Sequence, residues 1–296
     1  MTSTTQRSSR IPRRLLVTGA AGKLGTVVTA RFVKAGAEVV AVDRVAPTAG
    51  VAAGVTSVIA DLTDADAVRA AIVGCDAVIH VAKYGGPSDT DQFAVNTSAT
   101  YNVLAAAAAE GVGHAVISSS VCAYGTTFAK RPFSPVYAPV DEDHPLTPQD
   151  SYSLSKVVDE ATARAFVDGY GMNIVALRFH WLAELDEVRA AAARLAALGE
   201  PTMSRDLWCY TEVNDAARAC ELALGVTDGF HALNICATDS LSDLPTEELL
   251  ARFHPDTELR RPIEGTASAW STDRAREVLN FVPEYSWRTG HLGVDR

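Results

Sequence analysis

The sequence predicts an α/β protein with a doubly wound, parallel sheet of about seven strands and a smaller C-terminal region. Short apolar runs alternate with helical patterns through the first 180 of its 296 residues, an order typical of parallel sheets covered by helices on both faces. No internal repeat of solenoid length is present in the sequence. An apolar content of 48% is that of a globular chain with an ample core.

The first predicted strand, 15–17, runs into a turn that contains three glycines at three-residue spacing. A helical pattern begins inside this turn, so Gly19, Gly22 and Gly25 stand between a buried strand and a helix N-terminus. Gly19 permits a tight turn, Gly22 leaves room for a pyrophosphate, and Gly25 lets helix and strand pack closely. The free N–H groups of the helix start attract phosphate. The stretch therefore predicts a dinucleotide site.

An ordinary glycine turn is the alternative interpretation, and the second predicted strand argues against it. This strand, 38–43, ends in Asp43, which lies 18 residues after Gly25. An acid at such a distance accepts hydrogen bonds from the adenosine ribose of a dinucleotide. A carboxylate there repels a 2′-phosphate, so we expect NAD rather than NADP as the cofactor, although Arg44 is adjacent.

The third predicted strand, 57–62, ends near an acidic residue for which two roles stay open. Asp61 would contact the adenine edge of the dinucleotide, or it would cap the helix predicted over 65–73, as Asp64 also would. The two interpretations have equal support, and one residue can serve in both roles.

The fourth predicted strand, 75–82, ends in small residues. Val81 and Ala82 would let a cofactor lie flat across the strand end, whereas His80 is interpreted as a packed core histidine without a chemical role. The helix predicted over 93–110 follows. Its alanine run favours close packing in the core or, alternatively, against a second copy of the chain.

The fifth predicted strand, 114–120, ends in three consecutive serines, Ser118–Ser120. Such a hydroxyl cluster is unusual in a core, and open α/β folds bind ligands at the carboxyl ends of their strands. The long irregular segment that follows, 123–150, indicates a functional loop. Its cluster Asp141–His144 is interpreted as a solvated turn, because no second histidine or cysteine stands at ligand spacing. We expect no metal site.

The helix predicted over 151–168 carries a tyrosine and a lysine for hydride chemistry. Tyr152 and Lys156 are four residues apart and share a helix face. A free tyrosine has a pKa of about 10, and a neighbouring lysine favours the phenolate by its positive charge. Ser120 would hydrogen-bond the reacting oxygen from the other side. Such a set can move a hydride between a secondary alcohol and NAD, with Tyr152 as the general base.

The second half of the chain completes the sheet. Strands are predicted over 173–179 and 229–237, and helices over 212–224 and 244–253. The predicted regions are a disordered tail over 1–13, an NAD-binding domain with the catalytic tyrosine helix over 14–180, and a mixed region over 181–296 that forms a small substrate-binding lobe.

Charge and cysteine content limit the partners and the compartment. The net charge of −10 argues against nucleic acid or an anionic membrane surface as the main partner. Five scattered cysteines without a Cys-x-x-Cys pair are typical of thiols in a reducing cytosol. The N-terminal residues carry no apolar signal-peptide core, and no stretch reaches membrane-spanning length. We therefore expect a cytoplasmic protein that acts on a small molecule.

Together these motifs resemble the extended short-chain dehydrogenases/reductases, of the NAD-dependent epimerase/dehydratase family. The resemblance covers residues 14–290 and implies a Rossmann-type fold. The stretches that carry it are Thr18–Gly25, Asp43, Asp61–Leu62, His80–Ala82, Val95–Asn96, Ser118–Gly125, Pro145–Pro148, Tyr152–Lys156, Leu177–Arg178 and Arg205–Trp208.

The resemblance also implies the roles of individual residues. Ser120, Tyr152 and Lys156 form the catalytic set that it implies, with Ser119 as the fallback for Ser120. It implies a homodimer through the helix from Phe93 and the helix of Tyr152. The implied NAD contacts are Gly19, Gly22, Lys23, Leu24, Asp43, Asp61, Leu62, Ala82, Asn96, Tyr152 and Lys156.

The chain departs from nucleotide-sugar epimerases after its sixth predicted strand. Those enzymes usually carry Asn-Pro where this sequence has Phe179–Leu182. Only 26 residues, 179–204, separate Arg178 from Arg205, whereas those enzymes use a long segment here to grip the nucleotide. The shortened region is similar to that of uronate dehydrogenases, which act on small substrates. The candidate substrate contacts are Ser119, Ser120, His180, Arg205, Trp208 and Tyr210.

Several functions stay open. The leading hypothesis is an NAD-dependent dehydrogenase acting on a hydroxyl/keto pair of a small polar substrate such as a sugar or sugar acid, in which Arg205 would pair with a carboxylate or, alternatively, form a surface salt bridge. The second is a sugar or nucleotide-sugar epimerase or dehydratase with tightly bound NAD. A redox sensor that binds NAD without turnover is disfavoured, because it has no use for Tyr152 and Lys156.

Overall fold

The structure is a computed structural model that describes residues 11–46 and 52–292. The predicted disordered tail, 1–13, lies outside the described residues except at its end, where Ile11 packs against the core. No helix within the described ranges is long and apolar enough to cross a membrane.

Strands and helices alternate along the described chain. The strands are β1 (Arg14–Thr18), β2 (Glu38–Asp43), β3 (Val55–Ile59), β4 (Ala77–His80), β5 (His114–Ser120), β6 (Tyr137–Ala138), β7 (Asn173–Phe179), β8 (Leu182–Ala183), β9 (Thr211–Glu212), β10 (Phe230–Ile235), β11 (Glu258–Leu259), β12 (Tyr285–Ser286) and β13 (Gly290–His291). The α-helices are α1 (Lys23–Lys34), α2 (Ala65–Ile72), α3 (Asp89–Ala109), α4 (Ser151–Tyr170), α5 (Leu185–Leu198), α6 (Val213–Ala223), α7 (Thr246–Phe253) and α8 (Asp273–Leu279). The 3₁₀ helices are Val121–Tyr124 and Glu200–Asp206.

One seven-stranded sheet organises the fold, in the order β10-β7-β5-β4-β1-β2-β3. All of its strand pairs are parallel. The strand order reverses between β1 and β4, and this topological switch point is where open α/β sheets bind their ligands. The predicted doubly wound sheet of about seven strands is therefore confirmed.

Apolar side chains cover both faces of the sheet. One core cluster contains residues of α1, α6 and α8, and a second contains residues of α2, α3 and α4. Ala106 and Ala107 of the predicted alanine run are buried in the second cluster. Core packing thus accounts for the buried side of that run. A third cluster lies in the C-terminal region and surrounds Trp208 and Tyr210.

A buried ion pair ties α4 to the sheet. Arg178 on β7 donates through Nε and Nη2 to the two carboxylate oxygens of Glu160, at 2.8 and 2.7 Å. Its Nη1 donates to the hydroxyl of Tyr124 at 2.7 Å, and this hydroxyl donates to Asn234 Oδ1 on β10 at 2.8 Å. Because both charged side chains are less than a tenth exposed, the network holds helix and sheet in one relative orientation.

Some predicted boundaries differ from those observed. Helix α3 begins at Asp89, four residues before the predicted start, because the Ser88 side chain caps it by accepting the N–H of Asp91 at 3.2 Å. Strands β3 and β4 end at Ile59 and His80, two or three residues earlier than predicted. The residues beyond these strand ends leave the sheet and line a cavity.

The acidic segment Asp141–His144 is only partly the solvated turn that we predicted. Glu142 and His144 are buried, with 9% and 3% exposed. Glu142 accepts the backbone N–H of Asn234 at 2.7 Å, and His144 Nε2 accepts that of Val136 at 2.9 Å. These two side chains therefore join the loop to its neighbours. Among the described residues, no group of three histidine, cysteine or acidic side chains is arranged to hold a metal ion.

Candidate active site

A cavity of about 540 Å³ lies at the carboxyl ends of the central strands, at the switch point of the sheet. Its volume is in the range of cofactor sites. The predicted cofactor contacts that line it are Gly19, Gly22, Lys23, Leu24, Asp43, Asp61, Leu62, Ala82 and Asn96.

The glycine loop forms the floor of this cavity by close backbone packing. Gly19 has a φ of +71°, and a Cβ there would lie 2.6 Å from the Cα of Ala82 at the end of β4. A Cβ on Gly25 would lie 2.0 Å from the Gly19 carbonyl oxygen. Gly22 is the N-cap of helix α1, which begins at Lys23 with no side chain capping it. Its first N–H groups therefore stay available to an anionic group, so the loop fits a dinucleotide pyrophosphate.

Two acids line the cavity, Asp43 at the end of β2 and Asp61 beyond the end of β3. Asp43 lines it and accepts the backbone N–H of Ala21 at 3.0 Å, which braces the glycine loop. Asp61 accepts the N–H of Thr63 at 2.9 Å, and this bond lowers the pKa of its carboxyl group. Asp64, rather than Asp61, caps α2. Of the two roles left open for Asp61, the helix cap is thus taken by its neighbour.

The segment after β4 contributes cavity residues that we did not predict. Lys83 and Tyr84 line the cavity directly after the small end of this strand. Asn96 on α3 holds the segment in place: its Oδ1 accepts the Tyr84 N–H at 2.8 Å, and its Nδ2 donates to the Tyr84 carbonyl at 3.1 Å. The Arg44 guanidinium lies 5.0 Å from the centre of the Tyr84 ring. The rule that ligands bind at sheet ends could have indicated both residues.

An ion pair crosses the rim of the cavity. Lys23, at the start of α1, donates through Nζ to Glu187 on α5. Both side chains are more than a third exposed. Leu182 of β8 lines the cavity on the same side. Among the described residues, the region after β7 thus lines the cavity with Leu182 and pairs with one of its lining residues, Lys23, through Glu187.

The three predicted catalytic side chains lie outside the residues that line this cavity, Tyr152 and Lys156 included, and Lys83 connects the two places: it lines the cavity, and its Nζ lies 5.2 Å from the centre of the Tyr152 ring. Ser120 ends β5, while Tyr152 and Lys156 lie in the first two turns of α4. The Ser120 hydroxyl donates to the Phe179 carbonyl at 3.4 Å and accepts the N–H of Cys122 at 3.1 Å, and its proximity to the phenol of Tyr152 acts to lower the pKa of that group. Lys156 Nζ lies 5.9 Å from the centre of the Tyr152 ring. Asp150 caps the helix by accepting the N–H of Ser153 at 2.9 Å, so the helix start is fixed where the tyrosine stands.

Most of the protein groups around Tyr152 oppose the ionisation of its phenol. Burial raises the pKa of its phenol above the usual value, and the Cys122 thiol acts in the same direction. Lys156 is itself 2% exposed and donates to the Ser118 carbonyl at 2.9 Å and to Asp159 Oδ2 at 3.1 Å. A general base at this position therefore needs positive charge near the ring.

Ser119, the fallback for Ser120 and a candidate substrate contact, faces away from Tyr152. It is 3% exposed, and its hydroxyl donates to Glu160 at 2.6 Å. Successive side chains of a strand point to opposite faces of the sheet. Ser120 therefore reaches the tyrosine, whereas Ser119 joins the ion pair behind it.

Two further candidate substrate contacts are core residues. Trp208 and Tyr210 are both 0% exposed. The Trp208 indole donates to the Glu200 carbonyl at 2.8 Å, and the Tyr210 hydroxyl donates to Asp239 at 2.7 Å. Neither ring has surface left for a substrate in this structure, because both pack inside the third core cluster. They support the site from behind.

His180 is also fully engaged. It is 6% exposed, its Nε2 bonds the Asp206 carbonyl at 2.8 Å, and its Nδ1 accepts the N–H of Trp181 at 2.7 Å. Burial lowers the pKa of the imidazole. His180 therefore holds the 3₁₀ segment against the end of β7 as a neutral ring.

Arg205 differs from the other candidates because it is exposed and pairs with no acidic side chain of the described residues. Its Nη1 donates to the Ala129 carbonyl at 3.3 Å. Phe128 directly precedes Ala129 in the chain, and its ring centre lies 6.2 Å from the centre of the Tyr152 ring. Arg205 makes none of the ion pairs found in residues 11–46 and 52–292. The alternative of a surface salt bridge thus finds no partner in the described chain.

Comparison with known proteins places this site in a family. Residues 15–236 match the NAD dependent epimerase/dehydratase family. The chain belongs to that family. This membership confirms the resemblance to the family that the sequence indicated. The prediction of an NAD-dependent enzyme is confirmed with it.

Curated relatives and solved structures of this kind are dehydrogenases and nucleotide-sugar enzymes. An L-arabinose 1-dehydrogenase (NAD(P)(+)) of Haloferax volcanii is 35% identical over 185 residues, 60% of this chain and 70% of that protein. A uronate dehydrogenase of Pseudomonas putida is 35% identical over 56% of this chain, which spans only 59% of that enzyme. A short-chain dehydrogenase/reductase superfamily protein from Agrobacterium tumefaciens with bound NAD is 25% identical, with a TM-score of 0.69 over 93% of this chain and 94% of that chain. MoeE5 in complex with UDP-glucose and NAD is 25% identical, with a TM-score of 0.70 over 94% and 95%.

Replacement of Gly25 by alanine should weaken NAD binding, because the new Cβ would lie 2.0 Å from the Gly19 carbonyl oxygen. The loop would have to open, and we expect the affinity to fall by about tenfold or more. Titration calorimetry with NAD measures this change. Gly169→Ala in α4 is the matched control, since its Cβ would meet no atom within 4 Å. Wild-type affinity in Gly25→Ala would contradict the prediction.

Proposed function

We propose that this protein is an NAD-dependent dehydrogenase that transfers a hydride between NAD and a hydroxyl/keto group of a small sugar or sugar acid. The observation that carries the proposal is that Ser120, Tyr152 and Lys156 lie together near Lys83, a lining residue of the cavity whose loop fits a pyrophosphate. The proposal includes the division into an NAD-binding domain over 14–180 and a substrate-binding lobe over 181–296.

Different residues of the cavity would bind different parts of the cofactor. The N–H groups at the start of α1 would bind the pyrophosphate, and Asp43 would accept the ribose hydroxyls. Asp61 would reach the adenine, and Ala82 would leave space for the flat part of the cofactor across β4. A carboxylate at position 43 supports NAD over NADP, because it would repel a 2′-phosphate.

The reaction follows from the positions of three side chains. Ser120 holds the substrate hydroxyl by a hydrogen bond, and the phenolate of Tyr152 takes its proton. The oxygen then forms the carbonyl as the C–H bond breaks and its electron pair leaves carbon as hydride. When bound, NAD supplies the hydride acceptor. Lys156 holds its place beneath the tyrosine through Ser118 and Asp159.

Two observations support a small, acidic substrate. The 26 residues between Arg178 and Arg205, 179–204, fold into β8, α5 and the start of a 3₁₀ helix. Their length leaves no long segment to enclose a nucleotide. The exposed guanidinium of Arg205 contacts the carbonyl of Ala129, the residue after Phe128, and the Phe128 ring lies near that of Tyr152. Arginine binds carboxylates in a bidentate manner. The relatives named for L-arabinose and uronate support the same substrate class.

Tyr152→Phe should abolish turnover, because it removes the general base but keeps the ring. With NAD and a panel of sugars and sugar acids, we expect the wild-type enzyme to accumulate NADH. The variant should lose about a thousandfold in kcat. Absorbance at the NADH band is the measurement.

The same assay separates the proposal from its alternative. A UDP-glucose 4-epimerase of Streptomyces lividans is 25% identical over 94% of this chain and 97% of that enzyme. An epimerase would reduce and reoxidise its NAD within one turnover. Epimerised product without any NADH in solution would therefore overturn the dehydrogenase proposal.

Arg205→Met should weaken the binding of acidic substrates selectively. Without the guanidinium, KM for a sugar acid should rise by about 10- to 100-fold, while KM for a neutral sugar stays close to the wild-type value. Steady-state kinetics on a uronate and the matching aldose measure both. Arg252→Met, at an exposed arginine of α7 that pairs with Glu248, is the control. An equal rise in KM for the uronate and the aldose would contradict a role for Arg205 in binding the carboxylate.

We also propose a cytoplasmic homodimer that pairs the outer faces of α3 and α4. Tyr101 and Leu154 on these helices are 57% and 44% exposed, and large exposed apolar side chains on neighbouring helices favour association. Leu154→Glu should convert a dimer into a monomer in sedimentation velocity at micromolar concentration. Wild-type protein that sediments only as a monomer at this concentration would contradict the proposed homodimer.

A further inference from the structure

Phe128 presents a half-exposed aromatic ring next to the proposed general base. The side chain is 51% exposed, and its ring centre lies 6.2 Å from that of Tyr152, with the two ring planes at 76°. This edge-to-face contact is a favoured arrangement of two aromatic rings. Single exposed apolar side chains are common on protein surfaces, so the position of this ring, rather than its exposure alone, indicates a role.

Hydrogen bonds on both sides of Phe128 hold its loop against the segment that leads into α4. Before it, the Thr147 hydroxyl donates to the Tyr124 carbonyl at 2.7 Å. After it, the Gln149 side chain accepts the N–H of Arg131 at 2.9 Å and donates to the Arg131 carbonyl at 3.2 Å. Because α4 follows this segment directly, the loop is fixed relative to the tyrosine helix, and the aromatic ring stays beside the tyrosine.

A basic group lies against the same loop. The residue after Phe128, Ala129, is 4% exposed, and its carbonyl accepts a hydrogen bond from Arg205 Nη1 at 3.3 Å. Arg205 is itself exposed, so its guanidinium is accessible to a ligand. Phe128 is therefore part of a chain of contacts that runs from Tyr152 through the aromatic ring and the Ala129 carbonyl to Arg205.

This order of groups matches the chemistry of a sugar acid. A sugar ring carries its hydroxyl groups around the rim, whereas its faces consist largely of apolar C–H groups. Small-molecule sites combine apolar or aromatic walls with a few polar groups that fix the orientation of the ligand. A hydroxyl held at Ser120 and Tyr152 and a carboxylate held at Arg205 would leave the ring of the substrate over Phe128.

We propose that Phe128 is a substrate-binding residue, and that the C–H face of the sugar packs on its exposed ring while the reacting hydroxyl meets Tyr152. Such a contact recognises the carbon ring, which a sugar acid and its neutral counterpart share. Arg205 recognises only the carboxylate. The proposal rests on the proposed function, because it takes the substrate as a sugar whose hydroxyl reacts at Tyr152.

Phe128→Ala should raise KM for a uronate and for the matching aldose by the same factor, about tenfold, because both lose the apolar contact. We expect kcat and KM for NAD to stay within about threefold of wild type, since the ring takes no part in proton or hydride transfer. Phe128→Trp keeps a flat aromatic surface and should restore KM for both sugars to within about threefold. Arg205→Met, in contrast, should raise KM for the uronate alone.

Two measurements test this expectation. Steady-state kinetics at saturating NAD give KM and kcat for both sugars with the wild type and the variants. Calorimetry of the same sugars with the NADH-bound enzyme gives their affinity without turnover, because NADH cannot accept a hydride, and this affinity should fall about tenfold in Phe128→Ala. Tyr170→Ala is the matched control and should leave both values unchanged: its ring is 67% exposed and stacks on that of Phe166, at 5.2 Å, at the far end of α4.

Several results would overturn the proposal. One is an unchanged affinity of Phe128→Ala for both sugars. Another is a fall in kcat at unchanged KM, since the ring would then only support Tyr152. A loss of affinity confined to the uronate would assign the effect to Arg205, and an equal loss in Tyr170→Ala would make it unspecific.

Failure of the proposed function is recognisable separately. A wild-type enzyme that binds the sugars but forms no NADH from any of them would refute the dehydrogenase, and calorimetry would still decide the role of Phe128. Wild-type protein that binds neither sugar would refute both proposals.

Discussion

The buried ion pair between Arg178 and Glu160 is the constraint on which the site depends. Tyr152, the proposed general base, and Lys156 lie on a helix, whereas Ser120 ends a strand. A helix packed on a sheet by apolar contacts alone can rotate or slide by small steps. The bidentate bond from β7 to α4 opposes such movement, and loss of one partner of a buried pair costs about 3–5 kcal/mol. The register between Ser120 and Tyr152 follows from this bond.

Backbone geometry places the cofactor cavity in a similar way. Gly19 and Gly25 allow the turn after β1 to approach the end of β4 and its own carbonyl more closely than a side chain would permit. The uncapped start of α1 then faces the space between the two strands. Side chains then line a site that the main chain has already formed, with Asp43 at the end of β2 and Lys83 between β4 and the Tyr152 ring.

The parts of the fold and of the candidate site that could be predicted from the sequence are those that short local patterns encode. The glycine loop, the acid that ends β2 and the spacing of Tyr152 and Lys156 are features of short stretches, and each has its chemical meaning within one element. Ser119 and Ser120 were separable in principle, since alternation along a strand sends them to opposite faces. Which of the two faces the tyrosine depends on how α4 lies on the sheet.

Residues whose role depends on distant parts of the chain escaped prediction. Trp208 and Tyr210 were candidate substrate contacts because they lie just after the shortened region that is similar to that of uronate dehydrogenases. Their burial follows from the packing of the C-terminal third, which no local pattern records. By sequence, Phe128 is one residue of a long irregular loop, and only the bonds that tie this loop to the segment before α4 place its ring beside Tyr152.

The exposed ion pair between Lys23 and Glu187 affects how readily the enzyme can exchange its nucleotide with the surrounding solution. Surface ion pairs contribute at most about 1 kcal/mol, so this connection at the cofactor cavity opens readily. A dehydrogenase must exchange its nucleotide in each turnover, and a weakly fastened rim permits that exchange. For the proposed dehydrogenase, the direction of the reaction would then be governed by the ratio of oxidised to reduced nicotinamide nucleotide in the surrounding pool, rather than by a single molecule kept inside the protein.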